Sequence, residues 1–201
     1  MDAFRRVAGI AAVMLADNVD TDIIFPAHFL LITARDGLGV YAFHDRAPAR
    51  TCAQIREGAA AVLIAGANFG CGSSREQAVW ALRDCGIRAI VAPSFGEIFA
   101  AKCLRNGLLP ITLAADDVRV LAERATSGAQ VAVDLVAMTI TVGDDAPIVF
   151  GTSATARLAL ISGRDETDDI LNDHGAAIAA FEVRQKRLQS WLYAGEETHD
   201  R

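Results

Sequence analysis

The chain has 201 residues, of which 52% are hydrophobic and 22% charged, a balance that supports a folded core and excludes a disordered chain. Its net charge of −6 carries no basic stripe, which argues against nucleic-acid binding. There is also no run of about 20 apolar residues, which argues against a membrane-spanning helix.

Residues 7–15 read as a first strand. Asp17-Asn18-Val19-Asp20-Thr21-Asp22 follows as a polar turn, and Ile23-Ile24-Phe25-Pro26 leads into a short helix near residues 27–32. Residues 33–48 read as a loop broken by Gly37 and Gly39, long enough to suggest a function. Residues 59–65 form a continuous apolar run closed by Gly66, the pattern of a strand buried on both faces.

After the glycine-rich turn at residues 70–74, helical composition spans 75–84 and ends at Cys85-Gly86. A strand at 88–92 and a helix at 95–104, stopped by Asn106-Gly107, lead to a strand at 108–113. This β-α-β-α-β run predicts a parallel core. A helix at 116–126, a hairpin of 130–136 with 138–142, a third strand at 148–150 and a helix at 154–162 come next. A last helix is read from 173 to 193, with Ile178, Phe181, Leu188, Trp191 and Leu192 near one face for packing on the core.

Cys52, Cys71, Cys85 and Cys103 contain no C-x-x-C pair, and their shortest gap is 13 residues, so a metal or iron–sulfur site built from this chain alone is not expected. A disulfide framework is not expected at this size either. Four thiols fit a reducing, cytoplasmic compartment.

The segment Gly70-Cys71-Gly72-Ser73-Ser74-Arg75 joins a buried strand to a helix. Helix-start N–H groups and the helix dipole attract anions. Glycine lets the backbone approach a ligand, and an arginine can grip a carboxylate with two hydrogen bonds. The segment has no Gly-Lys-Ser/Thr for a P-loop, no third glycine for a dinucleotide fingerprint, and no Gly-x-Ser-x-Gly elbow. Read alone it is either an anion site or a glycine turn with serine as an ordinary cap. The aspartates of 17–22 are either a cation site or a capped turn; they lack the glycine and distal glutamate of a calcium loop.

Asp20-Thr21-Asp22-Ile23-Ile24-Phe25-Pro26, Asn68-Phe69-Gly70-Cys71-Gly72-Ser73-Ser74-Arg75-Glu76, Ala92-Pro93-Ser94-Phe95 with Ile98-Phe99, and Asn106-Gly107-Leu108-Leu109-Pro110 occur in that order. Together they resemble the 3-isopropylmalate dehydratase small subunits, the swivelling-domain half of aconitase-like enzymes. A weaker match continues through Gly163-Arg164-Asp165 and residues 176–184.

The resemblance implies an α/β fold: a swivelling β/β/α domain with a mostly parallel core sheet and an additional antiparallel hairpin. It implies one domain over 1–201, with a core at 1–165, a C-terminal helical extension at 166–193 and a flexible tail at 194–201. It implies a heteromeric hydro-lyase, active only with a large subunit that holds a 4Fe–4S cluster, leaving no metal ligand in this chain. The reaction would turn 2-isopropylmalate into 3-isopropylmalate through 2-isopropylmaleate, in leucine biosynthesis.

By the same resemblance Ser73 is the catalytic base, and Asp22 orients groups of the active site. Ser74, Arg75 and Gly72 bind a dicarboxylate substrate. Arg35, His44 and Arg46 lie in a loop that selects the substrate's side chain. The sequence departs from the family pattern at Gln77 and Val79, where His and Pro are usual, at Phe43-His44-Asp45-Arg46, where Phe-x-x-Trp-Arg is usual, and in a short connection from Arg46 to Ala59. Those departures leave the reaction type standing and open one alternative substrate class, another alkyl-substituted malate of the citraconate or dimethylmaleate type; a rival of a different class is a non-catalytic anion-binding domain that uses the Gly72-Ser73-Ser74 turn.

Overall fold

The computed structural model describes residues 2–45 and 50–193. The chain divides into two units, Met1–Gly163 and Arg164–Arg201.

The first unit is built on two four-stranded sheets. The parallel sheet has the order β2 (Ala11–Met14), β3 (Val62–Ala65), β4 (Ala89–Ala92), β5 (Leu109–Thr112). The antiparallel sheet has the order β1 (Arg6–Gly9), β6 (Val131–Asp134), β7 (Thr139–Val142), β8 (Ile148–Val149). The expected parallel core and hairpin are both present, and the hairpin is the centre of a larger sheet.

Every residue of β3 and β4 is buried, because their side chains point alternately into two cores. Val62, Ile64, Ala89 and Val91 pack with Val131, Val133 and Ile140 of the antiparallel sheet and with Val118 and Leu121 of helix α5 (Ala115–Thr126). Leu63, Ala65, Ile90 and Ala92 face the opposite core. That core is filled by Ala78, Val79 and Leu82 of α3 (Glu76–Asp84) and by Phe99 and Cys103 of α4 (Glu97–Arg105). Phe25, Phe43 and Phe69 are fully buried there too, each contributing about 1.5–3 kcal/mol of transfer free energy.

Several expectations need correction. The single strand at 7–15 is two strands in different sheets. β1 pairs antiparallel with β6, β2 pairs parallel with β3, and the exposed Ile10 marks the crossing. One strand cannot feed the ladders of two stacked layers, so the chain steps across at Gly9-Ile10, and the Ile10 carbonyl accepts from Ala61 N–H at 3.1 Å. Both halves are apolar, so the pattern does not reveal the step.

The polar turn at 17–22 contains a short helix, α1 (Thr21–Ile24), capped by the Asp20 carboxylate on Ile23 N–H. The helix read at 27–32 is only a 3-10 turn, Ala27–Phe29, after Pro26. A helix α2 (Arg50–Arg56) follows the 33–48 loop, and it was not anticipated.

The loop itself is anchored. Leu38, Ala42 and Phe43 are fully buried, the Gly39 N–H donates to Asp84 Oδ2 at 2.8 Å, and Phe43 N–H donates to the Ile24 carbonyl at 2.8 Å.

After α6 (Ala154–Ser162), the second unit holds α7 (Glu166–Leu188), which begins a full two turns earlier than expected. Asp165 and Asp168 form a reciprocal capping box that sets this start. The apolar face expected to be buried is exposed at Phe181, Leu188, Trp191 and Leu192. Residues 194–201, read as a tail, lie outside the described residues. Among the described residues no helix is long and apolar enough to cross a membrane.

Candidate active site

The glycine turn follows β3 after the short connection of residues 66–69. Phe69 is buried, and its backbone is pinned on both sides of the peptide: its N–H donates to the Ser94 carbonyl at 3.1 Å, and its carbonyl accepts from Gly96 N–H at 2.9 Å. Gly70 has φ of 71°, and a Cβ built there would lie 2.2 Å from the Phe99 ring. Gly96 meets the same corner from the other side, where a Cβ would lie 2.5 Å from the Gly70 carbonyl oxygen. Only glycine fits at either point. Gly70→Ala is expected to destabilise the chain by at least about 2 kcal/mol, from left-handed strain plus overpacking. Chemical denaturation would check this, and unchanged stability would contradict the packing described.

The Asp20–Pro26 segment is laced onto this turn. Thr21 N–H donates to the Cys71 carbonyl at 3.0 Å, and the Thr21 hydroxyl donates to the Ser73 carbonyl at 2.8 Å. Thr21 is 1% exposed, so this bond satisfies a buried hydroxyl. The aspartates of 17–22 each have an assigned partner. Asp17 accepts from Ala67 N–H at 2.7 Å, Asp20 caps α1, and Asp22 pairs with the Arg75 guanidinium. Asn18 accepts from Asn68 Nδ2 at 2.8 Å. The capped-turn reading of this cluster therefore accounts for it.

Arg75 is the residue before α3, and its side chain makes no capping bond. Its side chain is 13% exposed, and its guanidinium is held through one nitrogen by Asp22 and by the Phe25 carbonyl at 3.4 Å. Asp22 thus acts on Arg75, fixing its direction. Ser73 and Ser74 are exposed, and among the described residues neither hydroxyl has a hydrogen-bond partner. α3 starts at Glu76, one residue later than read, so neither serine serves as its cap. The ordinary structural use of serine at this place is absent.

Gly70, Cys71, Gly72 and Ser73 on one side, and Gly96, Glu97, Ile98 and Phe99 on the other, line a cavity of about 240 Å³. The start of α4 therefore faces the same space that Ser73 borders. The N-terminus of α4 brings unpaired N–H groups and a positive dipole end to this cavity, and α3 begins at Glu76, just after the Ser73-Ser74-Arg75 stretch. Thr21 and the Gly96–Phe99 wall were missed as site residues by the sequence reading. Their signals were the threonine of Asp-Thr-Asp and the Pro-Ser-Phe-Gly run.

The remaining predicted residues lie elsewhere or are not described. The Arg35 guanidinium lies 4.7 Å over the Trp80 ring and borders a separate cavity of about 340 Å³ with Asp2, Asp36, Arg83, Asp84 and Asn106. His44 gathers with His28 and Asp45. Arg46 lies outside the described residues.

Behind the site, Trp80 Nε1 donates to Asn106 Oδ1 at 2.9 Å, and Asn106 Nδ2 donates to Glu76 Oε1 at 2.9 Å. Asn106 Nδ2 also reaches the Lys102 carbonyl at 2.9 Å, so one amide ties α3 to the end of α4. Asn106→Ala is expected to cost about 1–3 kcal/mol by leaving part-buried groups without partners. A thermal or denaturant midpoint would register that loss, and a midpoint equal to wild type would contradict it.

The cysteines have core or edge positions. Cys52, Cys85 and Cys103 are buried. Burial, reinforced by Asp84, pushes the Cys85 thiol up to about 12, and burial raises Cys103 as well. Cys71 is half-buried in the turn.

Residues 1–116 match the aconitase C-terminal domain. The chain is 41% identical over 203 residues to the 3-isopropylmalate dehydratase small subunit of Shewanella oneidensis, covering 95% of this chain and 99% of that protein. It is 43% identical over 202 residues to 3-isopropylmalate dehydratase small subunit 2 of Bordetella parapertussis, covering 96% of this chain and all of that one (100%). A crystal structure of 3-isopropylmalate dehydratase from Methanocaldococcus jannaschii superposes with a TM-score of 0.68 at 29% identity, covering 87% of this chain and 98% of the other. On its glycine-serine corner, its two-sheet fold and these near full-length likenesses, the chain belongs to the aconitase C-terminal-domain family, among the 3-isopropylmalate dehydratase small subunits.

Proposed function

We propose that the chain is the small subunit of a 3-isopropylmalate dehydratase and supplies the proton-transfer and carboxylate-binding half of its site. The observation that carries this reading is the pair of exposed serine hydroxyls, free of any capping duty, beside a guanidinium that Asp22 holds in place. The names of the relatives support the isopropylmalate reaction and favour neither another alkylmalate nor a non-catalytic binding domain.

In this reading Ser73 Oγ takes the proton from the carbon beside a substrate carboxylate. With the hydroxyl leaving the neighbouring carbon, an unsaturated dicarboxylate results, and water added back in the opposite sense gives the isomer. A serine hydroxyl is a weak base, so its environment must favour the charged form. The positive ends of α3 and α4 and the Arg75 guanidinium act in that direction. Ser74 and the Gly72 backbone hold one carboxylate, and Arg75 offers it the guanidinium nitrogens that Asp22 leaves free.

We further infer that a 4Fe–4S cluster is held by a large-subunit partner. A cluster takes thiolate ligands, and the donor set of this chain does not suit one: Cys52, Cys85 and Cys103 are buried, and the Cys85 and Cys103 thiols are pushed away from ionisation. The four free cysteines support a reducing, cytoplasmic location.

A substrate panel tests the specificity. The chain is combined with its large subunit and reconstituted cluster, then offered 2-isopropylmalate, citramalate and 2,3-dimethylmalate. Preferred turnover of 2-isopropylmalate is expected. Turnover confined to a smaller malate would move the function to the related enzymes.

A further inference from the structure

A second constellation of side chains stands apart from the Ser73 corner. His28 lies in the turn after Pro26, and His44 and Asp45 close the anchored loop. His28 Nε2 is 3.6 Å from Asp45 Oδ1, and His44 Nδ1 is 3.2 Å from the same oxygen. All three donor atoms lie within 4.8 Å of one another. A tetrahedral zinc ion with bonds of about 2.0–2.2 Å sets its donors on the order of 3.3 Å apart. The two nitrogen-to-oxygen spacings lie near that edge length.

The chain is bent to bring these groups together. Phe43 has φ of 53°, unusual for a residue with a side chain, and it is fully buried with its N–H on the Ile24 carbonyl. Its burial fixes the direction in which His44 and Asp45 leave the core. The imidazoles are braced by a shared aromatic ring: Phe29 lies 4.1 Å from His28 and 5.0 Å from His44, centroid to centroid, with Tyr41 on Phe29 at 4.4 Å. Bracing of this kind reduces the side-chain freedom that metal binding would otherwise remove. The three groups are exposed, which leaves room for an ion to enter and for a water as fourth ligand.

A simple ion pair explains the cluster less well. Exposed pairs add little to stability, and one carboxylate needs only one histidine. Two imidazoles and a carboxylate form a donor set suited to zinc-type transition metals.

We propose that His28, His44 and Asp45 form a binding site for a divalent transition-metal ion of the zinc class, with an open fourth position. The ion would fasten the loop that ends at Asp45 to the turn that follows the Asp20–Pro26 segment. The proposal stands on these three side chains alone and does not depend on the role given to Ser73.

The test is titration of the full-length, tag-free, metal-stripped chain with Co²⁺, followed by displacement with Zn²⁺. The expected result is one ion per chain, with the visible d–d absorption of tetrahedral cobalt and no thiolate charge-transfer band. His28→Ala, His44→Ala and Asp45→Asn should each weaken binding by at least about tenfold, with the far-ultraviolet circular dichroism of the wild type retained. Failure to bind at submillimolar metal would overturn the site. So would binding that survives all three substitutions, or a thiolate band that assigns the ion to cysteine.

Discussion

Ser73→Ala, assayed with the large subunit and its cluster, is expected to lower kcat by about 10²–10⁴-fold, the range removed with a positioned general base. Ser73 is exposed, borders the cavity between the glycine turn and α4, and among the described residues only its carbonyl is engaged, by the Thr21 hydroxyl and the Arg75 N–H. Alanine keeps those backbone contacts and removes only Oγ. The variant should therefore fold, bind its partner and show a near-normal KM. A steady-state comparison with wild type decides the matter, and full turnover in Ser73→Ala would remove the base assignment.

Arg75→Lys is expected to reduce kcat/KM by about 10²-fold or more, since small misplacements of a binding group cost rates of that order. Charge is conserved in this change; shape is not. One guanidinium nitrogen reaches both the Asp22 carboxylate and the Phe25 carbonyl, leaving the others for substrate. An ammonium is a single point donor group on a flexible stem and cannot hold the two anchors while presenting a planar edge to a carboxylate. Asp22→Asn gives the companion result: if Asp22 acts by orienting Arg75, its loss should raise KM more than it lowers kcat. A variant pair with unchanged KM and kcat would contradict the clamp.

The parts of the fold that local pattern determines were readable in advance. β3 and β4 are uninterrupted apolar runs, and Gly86 and Asn106-Gly107 stop the helices after them, so the β3-α3-β4-α4-β5 order followed directly. The step between sheets at Gly9-Ile10 was not readable, because the residues on either side are equally apolar and only tertiary pairing separates them. The buried Leu38, Ala42 and Phe43 were hidden in a stretch with no period of two or of 3.6. The early start of α7 was obscured by its acidic first turns, which are favourable at a helix N-terminus once Asp165 caps it.

The candidate site divides in the same way. Ser73 and Arg75 stood out because glycines and a helix start surround them in sequence. Thr21 and Gly96–Phe99 did not, because they join the corner through the bridges Asp20 to Cys71 and Phe69 to Phe95, between segments distant in the chain. Family likeness supplied what local chemistry could not, namely that a chain with this Ser-Ser-Arg corner belongs among the dehydratase small subunits.

The central claim is that this chain contributes half of a catalytic site. It is tested most directly by following the absorbance of the unsaturated intermediate from 3-isopropylmalate with the chain alone, with the cluster-bearing large subunit alone, and with the two combined. Turnover is expected only in the mixture. Equal turnover by the large subunit alone, or none in a mixture whose cluster is intact, would contradict it.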